Sequence, residues 1–149
     1  MASHPDTLVD CSKVFVKKST FSNEETGDFA GAFAAADLKE GDLVERGVMR
    51  RMPDGFDGMN CQWCFTWSDN VPNHTWATGS GCAPFYNTDK AGHANTRMTR
   101  DFDKDTFEIF ATREIKEGEE LMHTYKSLKW RTCFKPLDDV IEKNYAAKN

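Results

Sequence analysis

Near its C-terminal end the chain carries Met122-His123-Thr124-Tyr125, an imidazole and a phenol two residues apart at the end of a polar, acidic stretch, "REIKEGEELMHTYKS". An imidazole and a phenol can both orient a reacting group through hydrogen bonds, so the cluster suits a strand that finishes at a pocket. A second chemical signal is "NCQWC", where Cys61 and Cys64 have the spacing of metal ligands. A tetrahedral zinc site needs two more ligands, for which Cys82, His74 and His93 are the candidates. The usual second close pair is absent, which favours plain thiols in a compact insert and no metal. The five cysteines (11, 61, 64, 82 and 133) are odd in number and follow no export signal, so they too read as thiols.

Elements must position these groups. "ADLKEGDLVE" (36–45) repeats the form of the later stretch: an apolar residue, Lys-Glu-Gly, then an acid. Both copies read as turns between strands, with Gly41 supplying the positive φ in the first. "KVFVKKSTF" alternates Val14 and Val16 against Phe15, a short strand. Gly27 and Gly31 punctuate two short apolar runs. "DTFEIFATREI" alternates strictly, with Phe107, Ile109 and Ala111 on one face and Glu108 and Phe110 on the other. Residues 48–80 are aromatic and rich in Gly, Asn and Asp, and read as an irregular insert with one short strand at "CFTW". Trp63, Trp67 and Trp76 suggest a hydrophobic mini-core inside it. After Pro136, Leu137, Val140, Ile141 and Tyr145 form one stripe of a helix. The fold expected is mostly β with a terminal helix.

At 149 residues, 39% hydrophobic and 29% charged, the chain has the size and composition of one globular domain. Its net charge of -5 argues against a general nucleic-acid binder and fits a basic partner such as a lysine-rich peptide. No apolar run reaches membrane-spanning length, and a nuclear or cytoplasmic location is expected.

Three stretches, in order, resemble the SET domain of protein lysine methyltransferases. "FAGAFAAADLKEGDLVE" is similar to that family's Gly-x-Gly-aromatic-Ala strand and turn. Phe85-Tyr86-Asn87 followed by Asn95 resembles its Phe-x-Asn-His and later Pro-Asn. "ATREIKEGEELMHTY" resembles the segment ending in Gly-Glu-Glu-Leu and a tyrosine four residues on. The resemblance runs from about 13 to 131. It departs at Phe29 (for the first glycine), Thr88 (for histidine), Ala94 (for proline) and His123 (for the first of paired tyrosines). A zinc-binding cysteine beside the asparagine motif is missing, and the tail holds only Cys133.

The resemblance implies a β-clip-like fold of short strands and hairpins with a pseudoknot, as one domain over 1–149. Its parts are 13–47, a variable insert 48–80, 81–131 with the motifs, and a helical tail 132–149. It implies S-adenosylmethionine as cofactor and a lysine side chain of a histone or other protein as substrate. Tyr125 matches the catalytic tyrosine and is expected to orient the amine rather than act as a strong base. Asn87 matches the asparagine that bonds the cofactor's amino-acid end. Thr88 would offer its backbone to the adenine, and Ala30 and Gly31 match the loop beside the cofactor. Phe85 and Tyr86 are expected to wall the cofactor or channel, and Trp130 to cover the adenine. Phe110 and His123 are candidates for the lysine channel. His93 and Asn95 read as structural, and the acids of "KEGEE" as a solvated turn. Two other readings stay open: a catalytically silent SET-like binding module, and an unrelated β domain with the same hairpin.

Overall fold

The computed structural model describes residues 6–22, 29–68, 75–90 and 92–148; Gly27 and His74 fall outside them. Nine strands are formed among the described residues: β1 (Val14–Lys18), β2 (Ala30–Ala34), β3 (Leu43–Arg51), β4 (Cys64–Thr66), β5 (Trp76–Gly79), β6 (Asn87–Thr88), β7 (Thr96–Asp101), β8 (Thr106–Ala111) and β9 (Glu120–His123). Helix α1 (Lys135–Lys148) closes the chain. One sheet runs β1-β2-β9-β6 and the other β4-β5-β3-β8-β7.

Strict alternation in β8 sends Phe107, Ile109 and Ala111 inward, each at most 2% exposed, while Glu108 and Phe110 take the other face. They join Leu38, Val44, Ile115 and Leu121 in the main core. Each large side chain buried this way contributes roughly 1.5–3 kcal/mol.

The repeated turn is a repeat in space as well. Gly41 and Gly118 both lie at positive φ, +87° and +89°, where a side chain would be strained. Gly41 N–H donates to the Ala111 carbonyl (2.8 Å) and Ala111 N–H to Asp42 (2.9 Å). In the second copy Gly118 donates to Ala34 (2.8 Å) and Ala34 to Glu119 (2.9 Å). Leu38 and Ile115 then pair with each other through both backbone bonds, 2.8 and 2.9 Å. The two turns therefore lock the N-terminal and C-terminal halves together across a shared local two-fold pattern.

The insert is more ordered than its composition suggests. β4 pairs with β5, and β5 pairs with the end of β3, so these two strands of the insert extend the larger sheet. Alternation is hidden there because β4 and β5 are only three and four residues long. The tryptophans divide: Trp67 and Trp76 are buried, but Trp63 is 59% exposed.

Strand β6 runs parallel to β9, with Asn87 opposite Met122 and Thr88 opposite His123. Asn95 clamps this crossing, donating to the Glu120 carbonyl (2.9 Å) and accepting from Met122 N–H (2.8 Å). Against β9 sits the apolar stripe of α1: Leu137, Val140 and Ile141 are buried with Phe21, and Phe29, Met122, Tyr125 and Leu128 pack on them.

Candidate active site

Tyr125 is held at both ends by the crossing. Its N–H donates to Thr88 Oγ1 (3.0 Å), and its hydroxyl donates to the Tyr86 carbonyl. Its ring leans on Phe134, with centroids 4.9 Å apart. Burial raises its pKa well above the ordinary phenol value, partly offset by the nearby Arg131. The group is thus a neutral hydrogen-bonding phenol at physiological pH.

Asn87 sits one strand away over a buried acid. Its Nδ2 donates to Ser19 Oγ (3.2 Å), the Ala30 carbonyl (3.0 Å) and Glu120 Oε2 (3.1 Å). Three acceptors on one nitrogen fix the amide orientation, leaving Oδ1 without a partner among the described residues. Glu120 also accepts from Ser19 Oγ (2.7 Å), Thr20 N–H (2.9 Å) and the Thr20 hydroxyl. It is only 9% exposed, so this acid of "KEGEE" is a buried anchor and not part of a solvated turn. Gly31 is explained by the same carboxylate. A Cβ there would lie 2.5 Å from Glu120 Oε2, so its small size makes room for Glu120.

His123 is 7% exposed and stacks flat on Tyr86, centroids 4.4 Å apart. Its Nδ1 is 2.7 Å from Thr96 Oγ1, whose one proton goes to the Met122 carbonyl (2.8 Å). Both contacts are hydrogen bonds when Nδ1 carries the ring proton, an arrangement that leaves Nε2 a bare acceptor. That Nε2 is buried with no partner among the described residues. Burial, with Arg100 nearby, pushes the His123 pKa down to about 3, so the ring stays neutral.

Two cavities meet at Tyr125. The first, about 240 Å³, is bounded by Phe29, Ala30, Trp63, Phe85, Asn87 and Phe134, and no charged residue lines it among the described residues. The second, about 560 Å³, includes Phe65, Met98, His123, Trp130, Arg97 and Lys126. Gln62, Pro84, Tyr125 and Phe134 border both. Arg100 and Arg131 also line the second, and no acid does among the described residues, so its sign is opposite to that of the whole chain.

Against the sequence expectations, Tyr125, Asn87, Ala30 and Phe85 come together at the first cavity, and His123 and Tyr125 at the second. Tyr86 walls neither. Its ring is fully buried and its hydroxyl donates to Glu45 (2.8 Å), so only its carbonyl serves the site. Trp130 lines the second cavity beside Trp76 (6.5 Å between centroids), away from Asn87. Phe110 borders neither cavity; it faces outward under the Arg97 guanidinium, 4.7 Å away. Thr88 is 1% exposed and spends its hydroxyl on Tyr125. The Cys61 and Cys64 sulfurs lie 3.1 Å apart, but Cys82 groups instead with Cys11 and Glu45 and His93 packs on Tyr145.

Arg131 escaped the sequence reading. Its guanidinium donates to the carbonyls of Gly58 (2.9 Å), Cys61 (2.7 Å) and Cys64 (3.0 Å) and lies over Trp76 and Phe134. It ties the insert to the tail and so sets the shared wall of both cavities. The only signal in sequence was a cation flanked by Trp130 and Phe134, too common to single out.

The SET domain family model matches residues 30–126. A candidate histone methyltransferase of Plasmodium falciparum is similar in structure, with 15% identity over 79% of this chain and 96% of that one and a TM-score of 0.56. Polycomb repressive complex 2 of Chaetomium thermophilum matches at 24% identity over 75% of this chain, TM-score 0.53. Its autoinhibited form bound to S-adenosylmethionine matches at 20% identity over 91%, TM-score 0.55. This chain spans 15% and 17% of those two polycomb chains. No curated protein gives a significant match. The family match covers well over half of the 149 residues, and the fold agrees with it: the chain belongs to the SET-domain family.

Proposed function

We propose that the chain is an S-adenosylmethionine-dependent protein-lysine N-methyltransferase. The observation that carries this is the shared Tyr125, which borders both a cavity beside Asn87 and a second cavity beside His123. Methyl transfer from a sulfonium to an amine is an in-line displacement, which needs two reactants brought from opposite sides to one point.

The residues of the first cavity fit the cofactor. Asn87 Oδ1 is an unclaimed acceptor suited to an ammonium, and Phe29, Trp63, Phe85 and Phe134 offer apolar walls. When bound, S-adenosylmethionine supplies an electrophilic methyl group. The chain's own part is alignment. Tyr125, neutral and oriented by Thr88 and the Tyr86 carbonyl, presents its hydroxyl oxygen where the cavities meet. His123 Nε2 is an acceptor for an amine N–H, and Phe65, Met98 and Trp130 suit an aliphatic lysine stem. A free lysine amine has a pKa of about 10.4, and cations near the cavity favour its neutral, nucleophilic form.

The departures from the family pattern speak against a silent module. Thr88 replaces a histidine yet holds the Tyr125 backbone, and Phe29 is part of the cavity wall. Isothermal titration of S-adenosylmethionine into the wild type and Asn87→Ala tests the reading. Micromolar-range binding that weakens sharply in the variant is expected; no binding to the wild type contradicts it.

A further inference from the structure

The methyltransferase reading leaves the substrate open, and the second cavity narrows it. A lysine entering there passes Arg97 and Lys126, both exposed at the lining. Neither forms an ion pair among the described residues; Arg97 rests on the Phe110 ring and Lys126 makes no hydrogen bond. Arg100 adds a third exposed cation, held by the Thr66 carbonyl at 2.7 Å. Arg131 contributes a buried fourth. Acids that could offset them are absent from the described lining. The chain as a whole carries an excess of acids, 24 Asp and Glu against 19 Lys and Arg.

A target lysine carries its own positive charge to this cavity. With basic neighbours it would add like charges against Arg97 and Lys126, which is costly where solvent is partly excluded. With acidic neighbours the flanks pair with those cations, an attraction that a basic peptide lacks. From this we infer that the acceptor is a lysine flanked by carboxylates, an acidic peptide segment rather than a basic tail, with Arg97 and Lys126 as specificity-determining residues. The inference rests on the methyltransferase reading for its choice of lysine. A nucleic acid would also meet the charge, but the chain as a whole is acidic, which disfavours a phosphate backbone.

The test uses short fluorescent peptides with a central lysine flanked by Glu or by Arg, titrated with the full chain in the presence of S-adenosylhomocysteine. Transfer of a tritiated methyl group to the same peptides is followed in parallel. The Glu-flanked peptide is expected to bind about tenfold more tightly at low salt, with the gap closing as salt rises. The R97E/K126E double variant, checked for folding by thermal unfolding, is expected to reverse the order. Should it fail to fold, the wild-type salt dependence and Lys126→Ala carry the test. Equal or tighter binding of the Arg-flanked peptide overturns the inference, as does displacement of the acidic peptide by a single-stranded oligonucleotide at equal charge concentration. Preferred methylation of the Arg-flanked peptide sinks the inference and leaves the enzyme reading intact. Tight binding of the acidic peptide without methyl transfer does the reverse, supporting the acid preference and overturning the enzyme reading.

Discussion

The two cavities beside Tyr125 are built from the same crossing but by different means. The described lining of the first carries no charged residue, and an acid lies beneath it: Glu120 is buried and met by Ser19, Thr20 and Asn87. The second keeps its charges at the rim, with Arg97 and Lys126 exposed and Arg131 sunk into backbone carbonyls. One side is organised by a satisfied network that fixes a single amide, the other by cations with no acid beside them among the described lining residues. A pre-organised acceptor suits a ligand of constant structure, while a field suits a class of varied partners.

Changing the shared wall should have the largest effect. Tyr125→Phe removes the hydroxyl at the junction and leaves both linings otherwise intact. Methyl transfer is expected to fall by about 10²–10³ in kcat, with cofactor and peptide affinities nearly unchanged. Single-turnover transfer alongside binding titrations checks this. Next is Arg131→Met, which leaves three carbonyls of the insert without their donor. A stability loss of about 3 kcal/mol is expected in chemical denaturation, together with weaker binding at both cavities.

Asn87→Ala sharpens the contrast, since it touches one side only. Cofactor affinity is expected to drop about tenfold, while peptide binding in the second cavity is retained. At neutral pH the smallest effect belongs to His123, whose contribution shows only in acid. Its folded pKa, about 3, lies below the ordinary value of 6.5, so the folded state resists the proton that the unfolded chain accepts. Its stabilising contribution is complete above pH 6.5 and is lost as pH falls toward 3, by up to about 1.4 kcal/mol per pH unit. Tyr86, Thr96 and Arg100 are the groups facing the ring. In His123→Asn, denaturation curves recorded across this range should lack that part of the acid slope.

Much of the fold could be read from the chain because its signals are local. The Gly-centred turns, the alternation of β8 and the stripe of α1 each depend on neighbours a few residues apart. Tyr125 and Asn87 were legible through the order of motifs around them. What stayed hidden depends on distant partners. Glu120 stands among solvated acids and is distinguished only by Ser19, Thr20 and Asn87, far away in sequence. Tyr86 follows Phe85, but the Glu45 carboxylate draws its ring into the core. Trp130 and Arg131 are adjacent, yet Arg131 is drawn inward by the carbonyls of Gly58, Cys61 and Cys64 while Trp130 remains 42% exposed. Net charge is silent on the site for the same reason: a sum over 149 residues does not describe one cavity.

Two separate cavities serving one junction at Tyr125 should admit both ligands at once. Titrating a Glu-flanked lysine peptide into the protein, free and then saturated with S-adenosylhomocysteine, tests it most directly. The account predicts that the peptide binds with the cofactor product in place, with equal or greater affinity. Mutual exclusion of the two ligands would contradict it.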